Sequence, residues 1–264
     1  MCGIVGVYDP SGNAGAHVVD ALLRGQHRGQ DGAGASFLTE QGVITHKGHG
    51  LVAEVFRNVE IPRSRLAIGH VRYGTQAASL DSTINDRDAS PLEIVVNGRT
   101  LGAIVHNGDF VGGMQLLEQY NGRRKTGVDT ELFVLRFVDS TAGALDQRVK
   151  DALLPVKEGA YSLIGLVGDQ LFAVRDPLGI RPLVFAAADG VEMFASESYM
   201  CNGFQNITDV GPGSLVMVGD NHPRSYQSLF HPSFKSARCA FEFIYFSRPE
   251  SVGSMLLIVK FVVL

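Results

Sequence analysis

The chain has 264 residues, 45% of them hydrophobic and 19% charged, a balance that supports a packed core and excludes a disordered protein. A formal net charge of −4 argues against nonspecific binding to nucleic acid or to an anionic membrane surface. Three widely spaced cysteines, Cys2, Cys201 and Cys239, suit neither a disulfide scaffold nor a zinc site, and no basic-then-apolar leader opens the chain, so a reducing, cytoplasmic setting is expected.

In chain order, GIVGVY (residues 3–8) reads as a strand ended by the turn former DPSGN. Residues 14–26 carry a helical spacing at Val18, Leu22 and Leu23, and the glycine-rich HRGQDGAG follows. Short strands are expected at GASFL, ITHKG, RLAIGHVRY, LEIVV and LGAIVHN, the last two joined by a tight Asn97-Gly98 turn. Residues 110–160 read as helical through GGMQLLEQY, TELFVLRFVDS and ALDQRVKDALLPV, stopping at Pro155. Strands then return as YSLIGLV and QLFAVRD around Gly168-Asp169, LVFAAA and VEMFAS around Asp189-Gly190, and GSLVMVGD. Strands, a helical block and strands again, without βαβ alternation, predict an α+β protein with antiparallel sheets and segregated helices. The chain ends in MLLIVKFVVL, apolar but for Lys260 and shorter than the roughly 20 residues a membrane span needs. It reads as a truncated or altered end.

A cysteine directly behind the initiator methionine raises a chemical question. Small second residues allow the methionine to be trimmed, and Cys2 would then carry a free α-amine beside its own thiol. The amine has an ordinary pKa of about 7.7–8 and the thiol about 8.5, so near neutrality the amine can take the thiol proton without a histidine relay. On position alone, a small residue at a processed terminus is the better explanation of Cys2. Four more segments carry polar residues at turns: HRGQDGAG (27–34) with Arg28, GHVRYGT (69–75) with Arg72, HNGD (106–109) with Asn107 and Gly108, and VDTE (128–131) with Asp129. Each has a plain structural explanation, and Asp129 would serve as a helix N-cap.

Together and in this order, MCGIVGVY, HRGQDGAG, GHVRYGT, HNGD and VDTE resemble the glutaminase domain of class II glutamine amidotransferases, over about the first 235 residues. The resemblance implies an αββα sandwich of two antiparallel sheets flanked by helices, of the N-terminal nucleophile hydrolase type. It implies that Cys2 attacks the side-chain amide of L-glutamine with its own amine as base, and that Asn107 and Gly108 form an oxyanion hole. Arg72 would hold the substrate α-carboxylate and Asp129 the α-ammonium, with Arg28, Tyr73 and Thr75 completing the substrate-binding set. His27, His70 and His106 are read as structural hydrogen-bonding groups, because the terminal amine fills the role of base.

Gln30, Tyr73, RDPLGIRPL (175–183) and CAFEFIYFSRPES (239–251) are similar to the amidophosphoribosyltransferase family, whose members make phosphoribosylamine from glutamine and phosphoribosyl pyrophosphate in purine synthesis. This divides the chain into a glutaminase domain, 1–235, and the start of a truncated or altered phosphoribosyltransferase domain, 236–264. The resemblance implies no cofactor for the glutaminase domain; Mg2+ belongs with the phosphoribosyltransferase domain. Some members carry an iron–sulfur cluster, which is not expected here although Cys239 stands where one ligand comes from. The segment after GHVRYGT differs from the family's usual glutamine-covering loop and is longer. The expected partners are L-glutamine and either a separate acceptor subunit or a second copy of the chain, without nucleic acid or membrane. The competing readings are a noncatalytic glutamine- or partner-binding module, favoured by the missing domain, and a hydrolase of other amides, disfavoured by Arg72 and Asp129.

Overall fold

Alternation along the strands decides the layering. In β1 (Gly3–Tyr8), Val5 and Val7 enter one apolar cluster, while Ile4 and Tyr8 enter another on the opposite face. The computed structural model describes residues 1–74, 88–220, 222–230 and 236–251. The apolar tail and most of the expected covering loop, with Thr75, lie outside the described residues.

One sheet has the order β11-β9-β10-β1-β4-β2-β3. It comprises β1, β2 (Gly32–Thr39), β3 (Gly42–His49), β4 (Leu66–Arg72), β9 (Val184–Ala188), β10 (Val191–Ala195) and β11 (Asn206–Asp209). The other has the order β13-β12-β8-β7-β6-β5. Its strands are β5 (Leu92–Val96), β6 (Arg99–Asp109), β7 (Ala160–Val167), β8 (Gln170–Arg175), β12 (Ser214–Gly219) and β13 (His222–Ser228). Every ladder is antiparallel.

Helices α1 (Ala14–Arg24) and α2 (Val52–Val55) pack outside the first sheet through Val18, Leu22 and Val52. Helices α3 (Gly113–Leu117), α4 (Thr130–Asp139) and α5 (Leu145–Leu153) cover the second through Leu117, Phe133 and Val149. Between the sheets lies a third cluster, with Ile4, Leu66 and Ile68 facing Val105, Ile164 and Ala173. Burying each such aliphatic side chain contributes about 1.5–3 kcal/mol. The order is therefore helix, sheet, sheet, helix, the α+β sandwich the sequence leads one to expect.

The turn residues act as expected: Asn97 (φ 50°) and Gly98 (φ 77°) close the β5–β6 hairpin, and Asp189 (φ 51°) and Gly190 (φ 82°) close β9–β10. Three elements carry little sequence signal, namely α2, β11 and β13. Helix α2 is a single short turn, and the two strands are polar sheet edges without apolar alternation. The boundary drawn at residue 235 marks no break in packing. Ala237 donates its N–H to the Leu178 carbonyl (2.9 Å), and Arg238 reaches Asp209 (2.8 Å).

The sheets approach closely at Gly6, where an added Cβ would stand 2.6 Å from Ile164 Cγ2. Gly6→Ala is expected to cost about 1–3 kcal/mol, and Ile164→Val in the same chain should recover part of that loss. Chemical denaturation of the two single variants and the double variant measures this; strict additivity would contradict the close approach.

Candidate functional site

The inter-sheet layer is apolar along most of its depth and turns polar at one end. The parity that sends Ile4 of β1 into the gap also places Cys2 there, one step beyond. By the same rule Leu66 and Ile68 bring His70 and Arg72 to this face of β4, and Val105 brings Asn107 to the facing side of β6. Ser162 pairs in register with Asn107 and with Arg175. Nucleophile candidate and oxyanion candidates thus stand on opposite sheets at one mouth.

Asn107 is the most informative of them. Its side chain is 0% exposed, yet among the described residues neither Nδ2 nor Oδ1 has a hydrogen-bond partner. Its neighbours at this level are satisfied: Ser162 donates to the Pro182 carbonyl (3.1 Å), and Arg175 donates to the Arg181, Val210 and Gly179 carbonyls. An unpaired buried amide costs stability and calls for a reason. Gly108 follows at φ +148°, where a Cβ would run into the Ala160 carbonyl oxygen, so only glycine fits. Strand β5 stops pairing with β6 at Leu92↔Ile104, so among the described residues the 105–109 stretch of β6 pairs with β7 alone.

The Cys2 thiol points to the Tyr73 carbonyl at 3.9 Å. Burial pushes the thiol up from its ordinary value, opposed by the Tyr73 backbone, the terminal amine, Arg72 and Arg28. The amine here is that of Met1, which burial lowers to about 6. Met1 is buried, and the Arg181 guanidinium lies against its sulfur.

Arg72 ends β4 and gives one N–H to the Asp88 carbonyl (3.0 Å), while the Asp88 side chain accepts the Gly127 N–H (2.8 Å). Asp88 therefore ties Arg72 to the loop that carries Asp129. Asp129 stands at the N-cap of α4 but makes no side-chain cap there; its Oδ2 accepts the Phe110 N–H (2.8 Å), and its Oδ1 lies 3.8 Å from His106 Nδ1. The capping explanation gives way to a long-range one that fixes the carboxylate beside β6. Glu131 holds the same loop by accepting the Lys125 and Thr126 N–H groups (both 2.7 Å).

Arg28, expected among the substrate-binding residues, lies buried beneath Cys2. It is 0% exposed, and its donors go to Glu242 (2.6 and 2.9 Å), Glu197 (3.4 Å) and the Cys2 carbonyl (3.2 Å). Burial works against its charge, and the two carboxylates overcome that. Asp31 accepts the Gly74 N–H (2.6 Å) and donates its own to the Arg72 carbonyl (3.0 Å), so the HRGQDG loop fixes the Arg72–Gly74 segment around Tyr73. Tyr73 is exposed, with its ring edge-on to Phe246 at 5.6 Å. His27 contacts Glu197 at 2.5 Å, and His106 bonds Thr130 at 2.9 Å. Asp88, Arg181, Glu197 and Glu242 escape sequence reasoning, although Glu242 sits within the CAFEFIYFSRPES segment. Among the described residues, no helix is long and apolar enough to cross a membrane.

A sandwich of this kind, with a thiol carried by the first strand to the mouth of the inter-sheet gap, defines the N-terminal nucleophile hydrolase class. A family model for the glutamine amidotransferase domain matches residues 79–201. Residues 79–201 thus carry a glutamine amidotransferase domain, and nearly the whole chain is similar to part of the amidophosphoribosyltransferases. It is 34% identical to the amidophosphoribosyltransferase of Methanothermobacter thermautotrophicus, matching 95% of this chain and 53% of the relative, and 36% identical to that of Pyrococcus horikoshii, matching 95% and 54%. The solved glutamine phosphoribosylpyrophosphate amidotransferase from B. subtilis, complexed with ADP and GMP, superposes with a TM-score of 0.82 at 30% identity, covering 95% of this chain and 54% of that one. The chain spans about half the length of the curated relatives it matches.

His70 is buried, and desolvation lowers its pKa to about 3. The unfolded chain takes up this proton near pH 6.5 and the folded chain does not, so folding stability falls as pH drops from about 6.5 towards 3. By NMR, the His70 ring is expected not to titrate between pH 8 and pH 5; a midpoint above pH 6 would contradict its burial.

Proposed function

We propose that this domain hydrolyses the side-chain amide of L-glutamine through Cys2, once Met1 is removed. The observation that carries the reading is Asn107, a fully buried amide with no partner among the described residues, at the mouth where Cys2 stands. The free α-amine of Cys2 takes the thiol proton, and the sulfur attacks the amide carbon. The oxyanion that forms is stabilised by the Asn107 amide and the Gly108 N–H. Collapse of this intermediate breaks the C–N bond, and ammonia leaves with the proton held by the amine. Water, activated by the same amine, then splits the γ-glutamyl thioester, giving glutamate and restoring the thiol. These groups balance the reaction among themselves, and no metal or cofactor enters a step.

Arg72 and Asp129 select a free amino acid, the guanidinium taking the α-carboxylate and the carboxylate the α-ammonium. Their connection through Asp88 supports this division, because it sets the two opposite charges at a fixed spacing. Tyr73 and Thr75 belong to the glutamine-covering segment in this reading. In a longer protein or a complex, the ammonia would pass to an acceptor portion that binds phosphoribosyl pyrophosphate with Mg2+, yielding phosphoribosylamine for purine synthesis in a reducing, cytoplasmic setting.

Asn107→Ala is expected to lower kcat by about 10²–10³-fold, whereas Asp129→Ala should raise the KM for glutamine by roughly tenfold or more, a loss of at least about 1.4 kcal/mol of binding. Ammonia release from glutamine measures both. Wild-type kcat in the first variant, or an unchanged KM in the second, would refute the corresponding role, and a processed wild type that releases no ammonia would favour a binding module.

A further inference from the structure

The π-helical turn Glu242–Phe246 touches the nucleophile's surroundings from two directions. At one end, Glu242 clamps Arg28 with both oxygens, and Arg28 Nε donates to the Cys2 carbonyl. At the other, Phe246 meets the ring of Tyr73, whose carbonyl accepts the Cys2 thiol. Both contacts reach Cys2 through one intermediary, and neither touches the reacting atoms.

The turn is itself held firmly. Ser247 Oγ donates to Glu242 (2.9 Å), and Glu197 receives the Arg248 N–H (3.2 Å) and Ser251 Oγ (3.1 Å) while also contacting Arg28 and His27. Arg28, Glu197 and Glu242 are all buried. A buried ion pair of this kind is poor evidence for stability, because desolvation offsets much of the attraction. Its geometric consequence is clearer: bidentate pairing allows the guanidinium one orientation, and that orientation aims Nε at the Cys2 carbonyl.

We propose that the Glu242–Phe246 turn is a positioning element for the nucleophile, Glu242 setting Cys2 through Arg28 and Phe246 setting it through Tyr73. The proposal rests on the reading of Cys2 as nucleophile. It makes a segment some 240 residues downstream part of the active thiol's support, so that whatever displaces this turn also displaces Cys2.

The charged groups around the thiol are the terminal amine, Arg72 and Arg28; Arg181 and Glu242 act on the amine as well, and Glu197 stands behind Arg28. The test uses the full chain with Met1 removal verified by mass, and follows alkylation of Cys2 by iodoacetamide against pH, resolved by peptide. Glu242→Gln keeps the shape but leaves Arg28 less neutralised, so the alkylation midpoint should fall by about half a pH unit. Phe246→Leu leaves the buried charges paired and loosens the Tyr73 segment, whose backbone contact with Cys2 works against the burial that raises the thiol, so its midpoint should rise. In both, glutaminase kcat is expected to drop about tenfold with KM within about twofold.

A turn that only straps the chain down would lower the melting temperature and leave both midpoints at the wild-type value, and that result overturns the proposal. If Glu242→Gln does not fold, Phe246→Leu carries the test alone. A wild type without glutaminase activity refutes the proposed function, while the two alkylation midpoints still decide the positioning role.

Discussion

The face-to-face packing of the two sheets through a layer such as Ile4, Ile68, Val105 and Ile164 fixes the distance between β1 and β6. Everything at the mouth inherits that distance. Cys2 and Asn107 are the next inward-facing residues after Ile4 and Val105, so packing in the gap, and not any direct bond between them, sets how they face each other. Interiors at crystal-like density transmit such spacing with little slack. The close approach at Gly6 and the glycine at 108 are local expressions of the same constraint, one letting the sheets meet and the other letting β6 pass beside β7.

Around that frame the structure spends buried charge unevenly. Arg28 is matched by two carboxylates beneath Cys2, and Arg175 is matched by two carbonyls of the RDPLGIRPL turn and by that of Val210. In the same turn Asp176 accepts the Leu178, Ile180 and Arg181 N–H groups (3.0 Å each), which presents Arg181 toward the N-terminus. Among the described residues, nothing pairs with the Asn107 side chain. The contrast separates Arg28, Arg175 and Asp176, whose polar groups are paired, from an amide that in the proposed reaction takes its partner from the substrate.

Local signals made much of this readable. GIVGVY, the Asn97-Gly98 and Asp189-Gly190 turns and the helices on either side of Ser140 follow from short-range periodicity and turn chemistry. The site was readable as an ordered set of motifs, and the fold then shows why the set coheres. Four of its five segments feed one mouth, and the fifth, HRGQDGAG, braces it from below and behind. What stayed hidden depends on long-range pairing. Arg28 meets Glu242 across 214 residues and Glu197 across 169, and Asp88 has no local feature announcing that it joins Arg72 to Gly127. Asp129 shows the reverse error, a strong local expectation of capping displaced by a bond to Phe110 on another element.

The central claim is that Cys2, freed of Met1, is a thiol nucleophile built to receive glutamine. Intact mass after incubation with 6-diazo-5-oxo-L-norleucine, a glutamine-shaped electrophile, tests it most directly. A chain lacking methionine and carrying one adduct, mapped to Cys2 and suppressed by excess glutamine, is the predicted result. A chain lacking methionine that stays unmodified, or one labelled at Cys239 with Cys2 untouched, would contradict it.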